Sequence, residues 1–454
     1  MFRKLLIANR GEVAVRVART ARELGVATVG VFSEADRGAS WLACFDETVA
    51  LGEAAPAASY LAAERVVQAA LQTGCSAVHP GWGFLSERPD FAALCAQFGL
   101  RFVGPSPGVM ERLGRKLTAK STMLEAGLPV VPGSDGLLAD VDEAVALAHS
   151  IGYPVMVKAD AGGGGRGMRL ATDEASLRTG FAEATTEAAS AFGDGGLYLE
   201  RYVASGRHVE VQVLGDAYGA AIHLGERDCS IQRNHQKLVE ESPCPALAED
   251  ERARLGERAA RATAAIGYEG AGTVEFLRTP DGELYFMEMN ARLQVEHPLT
   301  ELTTGVDLVH EQLAVAANQP LRLSQEDVRF CGHAIECRIN AEDPARGFLP
   351  TPGTLTAFEL APDAPSVRVD THLAEGEEVS PHYDSLLAKL IAHGETRAEA
   401  IELMLAALRA SRVEGVSTTI PLHIAVLESE AFGSGEVDTS FIPGLDALSA
   451  PRAS

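Results

Sequence analysis

The stretch TVEFLRTPDGELYFMEMNARLQVEHP, Thr273–Pro298, decides how this chain is read. An apolar alternating run, a Pro-Asp-Gly turn and a second run rich in Tyr, Phe and Met predict a β-hairpin. With the turn centred on Asp281-Gly282, register pairs Leu277 with Phe286 and Glu275 with Glu288. Cross-strand partners stand roughly 4.5–5.5 Å apart at Cβ. Two carboxylates then share one face, with Asn290 two residues on and on the same side. Like charges that close raise each other's pKa unless a cation intervenes. Two acids and an amide offer oxygen donors only, which suits Mg²⁺ or Mn²⁺. Arg292, Gln294 and Glu296 follow at spacing two and are expected to carry that face onward. The same pattern also describes the solvated face of an ordinary hairpin, so the rest of the chain has to decide.

Composition narrows the classes. A length of 454 residues suggests about three domains. No apolar run reaches the roughly 18 residues of a membrane span. The start, MFRKLLIANRG, has only Leu5–Ala8 as an apolar core, too short for a signal peptide. A net charge of −24 argues against nucleic-acid binding, so an anionic substrate needs local positive charge. Seven cysteines without a CxxC pair point to a reduced, cytoplasmic protein with no zinc site. Only six lysines occur, at 4, 116, 120, 158, 237 and 389. In a chain that otherwise prefers arginine, each of them draws attention.

From residue 1 to about 113, strands and helices alternate: Leu5–Ala8, helix Glu12–Leu24, strand 27–32, helix Tyr60–Gln72, strand 76–80, helix Asp90–Phe98 and strand 101–104. This predicts a parallel sheet with helices on both faces. The turn Asn9-Arg10-Gly11-Glu12 lacks the dinucleotide fingerprint, so no NAD site is expected. The loop His79–Glu87 is glycine-rich and lies at a strand's carboxyl end, where open α/β sheets bind ligands.

Residues 114–203 read as a small α/β unit. Strand Val155–Lys158, five glycines within 162–167 and strand Met168–Ala171 predict a hairpin with a mobile glycine tip, able to set backbone N–H groups against phosphate oxygens and to close over a nucleotide. Leu197–Val203 reads as a strand and hinge. Segments 208–217 and 219–227 form a second hairpin. Asp228–Lys237 reads as a basic, anion-binding segment or a solvated loop. Helices are expected at Glu249–Ala265, Asp307–Ala317, Arg397–Ser411 and Thr418–Glu428, and a β-rich region around His333–Asn340.

Taken together, Lys116, Lys158, GGGGRGM (162–168), ERDCSIQRNHQK (226–237), EFL and MEMNARLQVEHP within 275–298, and HAIECRINAED (333–343) resemble biotin carboxylase, the ATP-grasp component of biotin-dependent carboxylases. The similarity spans residues 1–446, in the family's order and spacing. It implies an ATP-grasp enzyme of mixed α/β and α+β class: a doubly wound parallel sheet over 1–113, a linker and mobile lid over 114–203, a catalytic core over 204–330, a β-rich C-terminal domain over 331–446, and a tail, 447–454. The implied reaction carboxylates biotin from ATP and bicarbonate through carboxyphosphate, as the first half-reaction of an acyl-CoA carboxylase.

The resemblance also implies roles. Lys116 and Lys158 bind the ATP phosphates, with Gly164 and Gly165 in the lid above them. Glu200, Arg201, Tyr202 and Val203 hold the adenine. His208, Gln232, His235 and Leu277 contact the nucleotide. Glu275, Glu288 and Asn290 hold Mg²⁺ or Mn²⁺. Lys237, Arg292, Gln294 and Val295 bind bicarbonate, Glu296 deprotonates it, and Arg338 steadies the enolate-like charge on biotin. Arginine's planar fork suits a planar carbonate, and a carboxylate between Arg and Lys stays ionised at neutral pH.

The chain departs from the family pattern at Arg115, at Trp82 (usually Tyr), at Arg88 (usually Asn), at Asp160-Ala161, at Asn234 (commonly Arg) and at Arg201 (frequently Lys). None of these removes an implied catalytic group. Lys389, the only lysine after Lys237, sits in the apolar run LLAKLIA rather than between methionines, so biotin is expected to arrive on a separate carrier protein. A carboxyltransferase partner and a homodimer are implied as well. Two other readings share the ATP residues: a different ATP-grasp ligase, and a nucleotide-binding subunit without turnover.

Overall fold

The computed structural model describes residues 1–160, 167–233, 236–361 and 365–442. Strands β1 (Lys4–Ile7), β2 (Ala27–Ser33), β3 (Glu47–Gly52), β4 (Ala77–His79) and β5 (Arg101–Phe102) form a sheet in the order β3-β2-β1-β4-β5. All pairings within it are parallel. Residues of β1 enter two cores in turn. Leu5 and Ile7 pack with Val13 and Val17 of helix α1 (Gly11–Glu23), and Leu6 packs with Val66 and Phe91. A parallel sheet covered on both faces needs such an unbroken apolar run, which is why the alternation of elements was readable. Strand β3 was not anticipated. Only Leu51 of its six residues is buried, so this edge strand carries little apolar signal. The helix expected from Tyr60 begins at Ala63, and Tyr60 instead donates its buried hydroxyl to Asp36.

A smaller antiparallel sheet follows in the order β7-β6-β8, made of β6 (Val155–Ala159), β7 (Met168–Ala171) and β8 (Leu197–Arg201). Helices Val141–Ile151 and Glu174–Phe192 contribute to its core through Ala144, Ala148, Leu177 and Ala184. Each starts on an aspartate, Asp140 or Asp173, whose carboxylate accepts the first free backbone N–H groups. The β6–β7 hairpin is present as expected. Its glycine tip, including Gly164 and Gly165, lies outside the described residues.

The third sheet is antiparallel throughout and has eight strands. It runs β13 (Leu284–Asn290), β12 (Gly270–Arg278), β9 (Arg207–Gly215), β10 (Ala221–Arg233), β11 (Gln236–Ser242), β14 (His333–Asn340), then strands Leu386–Gly394 and Val367–Thr371. Strand β9 shows how it is built: Val209, Val211 and Val213 enter the core beneath, and His208, Glu210 and Gln212 occupy the opposite face, also buried. Asp228–Arg233, read as part of a basic loop, instead extends β10 through the sheet centre, with Asp228, Cys229, Ser230 and Ile231 all buried. Asp228 is paired with Arg207 inside the protein and Arg233 lies over the Phe348 ring, which is why polarity alone misled.

Three enclosed histidines, His79 and His423 buried and His372 half-buried, set an acid limit on this fold. His79 Nδ1 accepts the Gly81 N–H, and its Nε2 faces Gln312 Oε1, which fixes a neutral ring. His423 Nε2 faces the Arg338 carbonyl, and its Nδ1 is buried without a partner among the described residues. Burial lowers both to about 4, and His372 to about 3. A ring that binds its proton more weakly folded than unfolded stabilises the fold fully above its unfolded pKa of roughly 6.5 and loses that contribution as pH falls. The melting temperature is therefore expected to hold from neutrality to about pH 6.5 and to fall steadily toward pH 4. A thermal melt series across that window measures it.

Candidate active site

The functional face is assembled from rows of cross-strand partners. Glu288 of β13 pairs with Glu275 of β12, Glu275 with Glu210 of β9, and Glu210 with Arg227 of β10. Residues aligned this way point to one side of the sheet. The next row sets Asn290 opposite Thr273 and Thr273 opposite Gln212. Arg227 lies fully buried under both rows. Its guanidinium donates to Glu210 (2.6 Å), Gln212 (2.8 Å), Thr300 (2.8 Å) and Thr273 (3.2 Å), so neighbouring strands of the face are tied to one planar group.

The pairing of Glu275 with Glu288 is the expected one, but that of Leu277 is not. The register slips between Glu275 and Phe276, Phe276 faces Phe286, and Leu277 faces Tyr285. Met287 is the extra residue of this bulge, and a one-residue slip exchanges faces. The expectation that Arg292, Gln294 and Glu296 continue the strand face is also corrected. Strand β13 ends at Asn290, and residues 291–296 form a loop that leads into the helix His297–Thr304. The loop is folded back so that its polar side chains meet the sheet from above.

Lys237 is where loop and sheet meet. Its ammonium lies 2.5 Å from Glu210, 3.1 Å from Glu275 and 2.6 Å from Glu296. A second register slip makes this possible. Ile231 faces Val239, but Gln232 faces Lys237, leaving Leu238 as the extra residue. Glu296 is completely buried, with Lys237 on one oxygen and Arg338 Nη2, 2.9 Å away, on the other. Burial would raise its pKa, but Lys237, Arg338 and Arg227 outweigh that and hold it well below the carboxylate range. Glu275 is likewise held low against its burial, by Lys237 and by His208, whose Nε2 stands 3.0 Å away.

Glu288 behaves oppositely. It is exposed at the mouth of the face, yet the enclosing protein and the charges of Glu275 and Glu87 push its pKa up. A carboxylate repelled by its cross-strand neighbour fits a divalent cation shared between the two, with oxygen donors of the kind Mg²⁺ and Mn²⁺ prefer. The Asn290 amide is turned with its nitrogen on Glu275 (2.7 Å) and its oxygen on Arg292 (2.9 Å). Arg292 also donates to Gln294 (2.8 Å) and to Glu87 (2.9 Å), and the Ala291 N–H reaches Glu87 as well. Glu87, at the end of the His79–Glu87 loop, thus fixes the bend after β13. Sequence reasoning gave it no role of its own.

A second basic group gathers beside the smaller sheet, with Lys158 on β6 and Lys116 and Lys120 on a neighbouring helix. Lys158 pairs with Glu200, and Lys120 pairs with the other oxygen of Glu200 at 2.6 Å. Lys120 was assigned no function, and the scarcity of lysine was its only signal. Lys116 opens the helix Lys116–Glu125, and burial together with the neighbouring charge of Lys158 lowers its pKa. Glu288 and Glu200 oppose that shift, so Lys116 stands within electrostatic reach of both basic and acidic groups.

The expected hinge is narrowed. The N–H groups of Arg201 and Tyr202 are taken by the carbonyls of Pro132 and Pro154, and the Arg201 side chain donates to the Tyr285 hydroxyl. Among the described residues, the Val203 N–H is not taken in this way. Gln232 is buried beside Lys237, and Leu277 faces His208 across β12 and β9. Val295 is buried, with its carbonyl accepting from Lys389 (2.9 Å). His235 lies outside the described residues.

Comparison with known proteins follows the same outline. Residues 1–110 match the family described as biotin carboxylase, N-terminal domain, and 336–444 the biotin carboxylase C-terminal domain. Residues 115–324 match the carbamoyl-phosphate synthase L chain, ATP binding domain. The chain is 52% identical to Biotin carboxylase 1 of Bacillus subtilis over 449 residues, covering 99% of this chain and 100% of that protein. The chain belongs to the biotin carboxylase family.

Biotin carboxylases are ATP-dependent ligases that use Mg²⁺, bicarbonate and biotin, and this membership displaces the reading as a different ATP-grasp ligase. The chain is also 49% identical to a pyruvate carboxylase subunit of Methanothermobacter thermautotrophicus, covering 98% of this chain and 91% of that one. Among solved structures, it matches the biotin carboxylase domain dimer of Hydrogenobacter thermophilus 2-oxoglutarate carboxylase, in complex with MgADP, ADP and bicarbonate. That match has a TM-score of 0.94 and 46% identity, covering 100% of both chains. The ATP-grasp architecture expected from the motifs is therefore the one observed. Among the described residues, no helix is long and apolar enough to cross a membrane.

Proposed function

We propose that this chain carries out the biotin carboxylase half-reaction with the residues gathered around Lys237 and Glu296. The observation that carries this reading is Glu296 itself: a fully buried carboxylate, kept ionised by Lys237 and Arg338, at the end of the face that bears Glu275 and Glu288. Lys116 and Lys158 bind the ATP phosphates, and Val203 with the neighbouring carbonyls lies along the adenine. Glu275 and Glu288, with Asn290, are the residues that would hold Mg²⁺, which when bound neutralises charge on the transferring phosphoryl group.

Lys237, Arg292 and Gln294 hold bicarbonate, and Glu296 takes its proton as the oxygen attacks the γ-phosphorus. The bond to ADP breaks and carboxyphosphate forms. Its carboxyl group then passes to biotin N1′, and the N1′ proton leaves with phosphate. Arg338 donates to the ureido oxygen, where negative charge develops, in the manner of an oxyanion hole.

Lys389 is fully buried and already bonded to Glu12, Asp370 and Val295, which supports biotin arriving on a separate carrier. The solved dimer of the Hydrogenobacter relative supports a homodimer here. Relatives named as subunits of pyruvate and 2-oxoglutarate carboxylases support a carboxyltransferase partner that sets the final acceptor. Seven unpaired thiols, five of them buried, support a reducing, cytoplasmic setting. We place the boundaries of the structural units at residues 113, 203, 330 and 446.

ADP release in Mg²⁺ is the test. It is expected to require bicarbonate and to rise with free biotin or a biotinylated carrier. ATP binding without ADP release under those conditions overturns the proposal and favours a nucleotide-binding protein without turnover.

A further inference from the structure

Behind Arg338 lies a pair of carboxyl groups that the reaction described above does not use. Glu240 of β11 and Glu336 of β14 are direct cross-strand partners, and both are completely buried. Partners in such a position hold their side chains side by side. One oxygen of Glu240 accepts from Arg338 Nε at 2.6 Å. The other oxygen of Glu240 and both oxygens of Glu336 are buried with no hydrogen-bond partner among the described residues.

The charged and titratable groups facing the pair are few. Arg338 stands beside Glu336 on β14 with Cys337 between them in sequence, Lys389 lies on the strand Leu386–Gly394, Lys237 on β11, Cys229 on β10, and Glu296 at the end of the loop above. The helix His297–Thr304 lays Leu299 on Ala334 and Ile391 and also carries His297, a fully buried ring within electrostatic reach of Lys389. Each cation is already engaged. Lys237 serves three carboxylates, Lys389 serves Glu12, Asp370 and the Val295 carbonyl, and Arg338 is shared with Glu296. Among the described residues no donor remains for a second negative charge, and an unpaired buried carboxylate takes up a proton rather than stay ionised.

We infer that Glu240 and Glu336 together bind one proton and act as a positioning pair for Arg338. The inference rests on the reading of Arg338 and Glu296 proposed above. Burial pushes Glu240 up to about 7 against the pull of Arg338, and pushes Glu336 further, well above the carboxylate range, against Lys389. Glu240 keeps Arg338 Nε on one oxygen while neither oxygen of Glu336 has a partner among the described residues, so this geometry puts the proton on Glu336 and leaves on Glu240 the charge that steers Arg338. In this state Arg338 is balanced between Glu240 and Glu296 and presents its remaining N–H edge to the ureido oxygen. Loss of the shared proton at alkaline pH adds a second charge behind Arg338, draws the guanidinium back and weakens its hold on biotin.

Infrared spectroscopy of the full chain reads the proton directly. At pH 7 the difference spectrum between wild type and Glu336→Gln is expected to show a protonated-carboxyl C=O band that shifts in D₂O and titrates away at alkaline pH. Over the same pH range KM for biotin rises about tenfold, the factor that one unit of pKa coupling represents. KM for ATP does not follow, and Glu336→Gln abolishes the rise. Absence of the band, or an unchanged alkaline rise in Glu336→Gln, overturns the inference. If that variant does not fold, wild type alone decides: band and biotin KM must titrate together, and separate titrations overturn the inference. The band needs no turnover, so a protein that shows it but never carboxylates biotin refutes the proposed function rather than the proton site.

Discussion

Glu296→Ala is expected to lower biotin carboxylation by about 10²–10⁴-fold, the usual worth of a positioned general base, while ATP binds with nearly unchanged affinity. The two effects separate because Glu296 touches Lys237 and Arg338, whereas Lys120 and Lys158 pair with Glu200. Its removal leaves Lys237 still held by Glu210 and Glu275, so the face proposed to bind the metal keeps its shape. Arg338 keeps Glu240. What disappears is the one carboxylate that both cations keep ionised. Steady-state rates combined with nucleotide titration of the same preparation check this. A matching loss of ATP affinity would show that Glu296 serves the nucleotide instead of bicarbonate.

Lys389→Met is expected to cost about 3–5 kcal/mol of stability, the range for removing one partner of a buried ion pair. Lys389 is completely buried and donates to the Val295 carbonyl, with Glu12 at 3.1 Å and Asp370 at 3.6 Å. Arg368 still forks onto Asp370 after the change, but among the described residues Glu12 keeps only the indole N–H of Trp82. Burial already raises the Glu12 pKa against the pull of Lys389, so Glu12 protonates in the variant and limits the loss to that range. Activity falls too, because the Val295 carbonyl anchors the loop that carries Gln294 and Glu296. Urea unfolding measures the stability term. A loss below about 1 kcal/mol, the scale of a surface pair, would mean that the Lys389 cluster is not the anchor described.

The parts of this structure that rest on local pattern were legible in the sequence. A continuous apolar run followed by an amphipathic helix has one economical solution, and the parallel sheet followed from it. Glu275 and Glu288 could be paired because a tight turn fixes register over the few residues next to it. The bulge at Met287 leaves no trace in the alternation, so Leu277 was given the wrong partner. The loop 291–296 kept a spacing of two while leaving the strand, because alternation of polar residues does not distinguish a strand from a folded-back loop.

What needed distant strands to meet was not legible. Asp228–Arg233 is polar yet buried because Arg207 and Ser230 satisfy Asp228 from within the sheet. Glu240 and Glu336 look unremarkable in the sequence until β11 and β14 set them side by side. Lys120 and Glu87 are second partners of Glu200 and Arg292, and nothing but three-dimensional proximity assigns them. The motifs therefore point to the proposed reacting groups, and the fold shows what holds those side chains in place.

The face around Glu296 is proposed to move a carboxyl group from bicarbonate to biotin at the expense of ATP. Incubating the purified chain with ATP, Mg²⁺, isotopically labelled bicarbonate and free biotin tests it most directly. The expected result is acid-labile label on biotin, formed with equimolar ADP and absent when ATP is omitted or Glu296 is replaced by alanine. ADP release with no label on biotin, or labelling that survives Glu296→Ala undiminished, would contradict it.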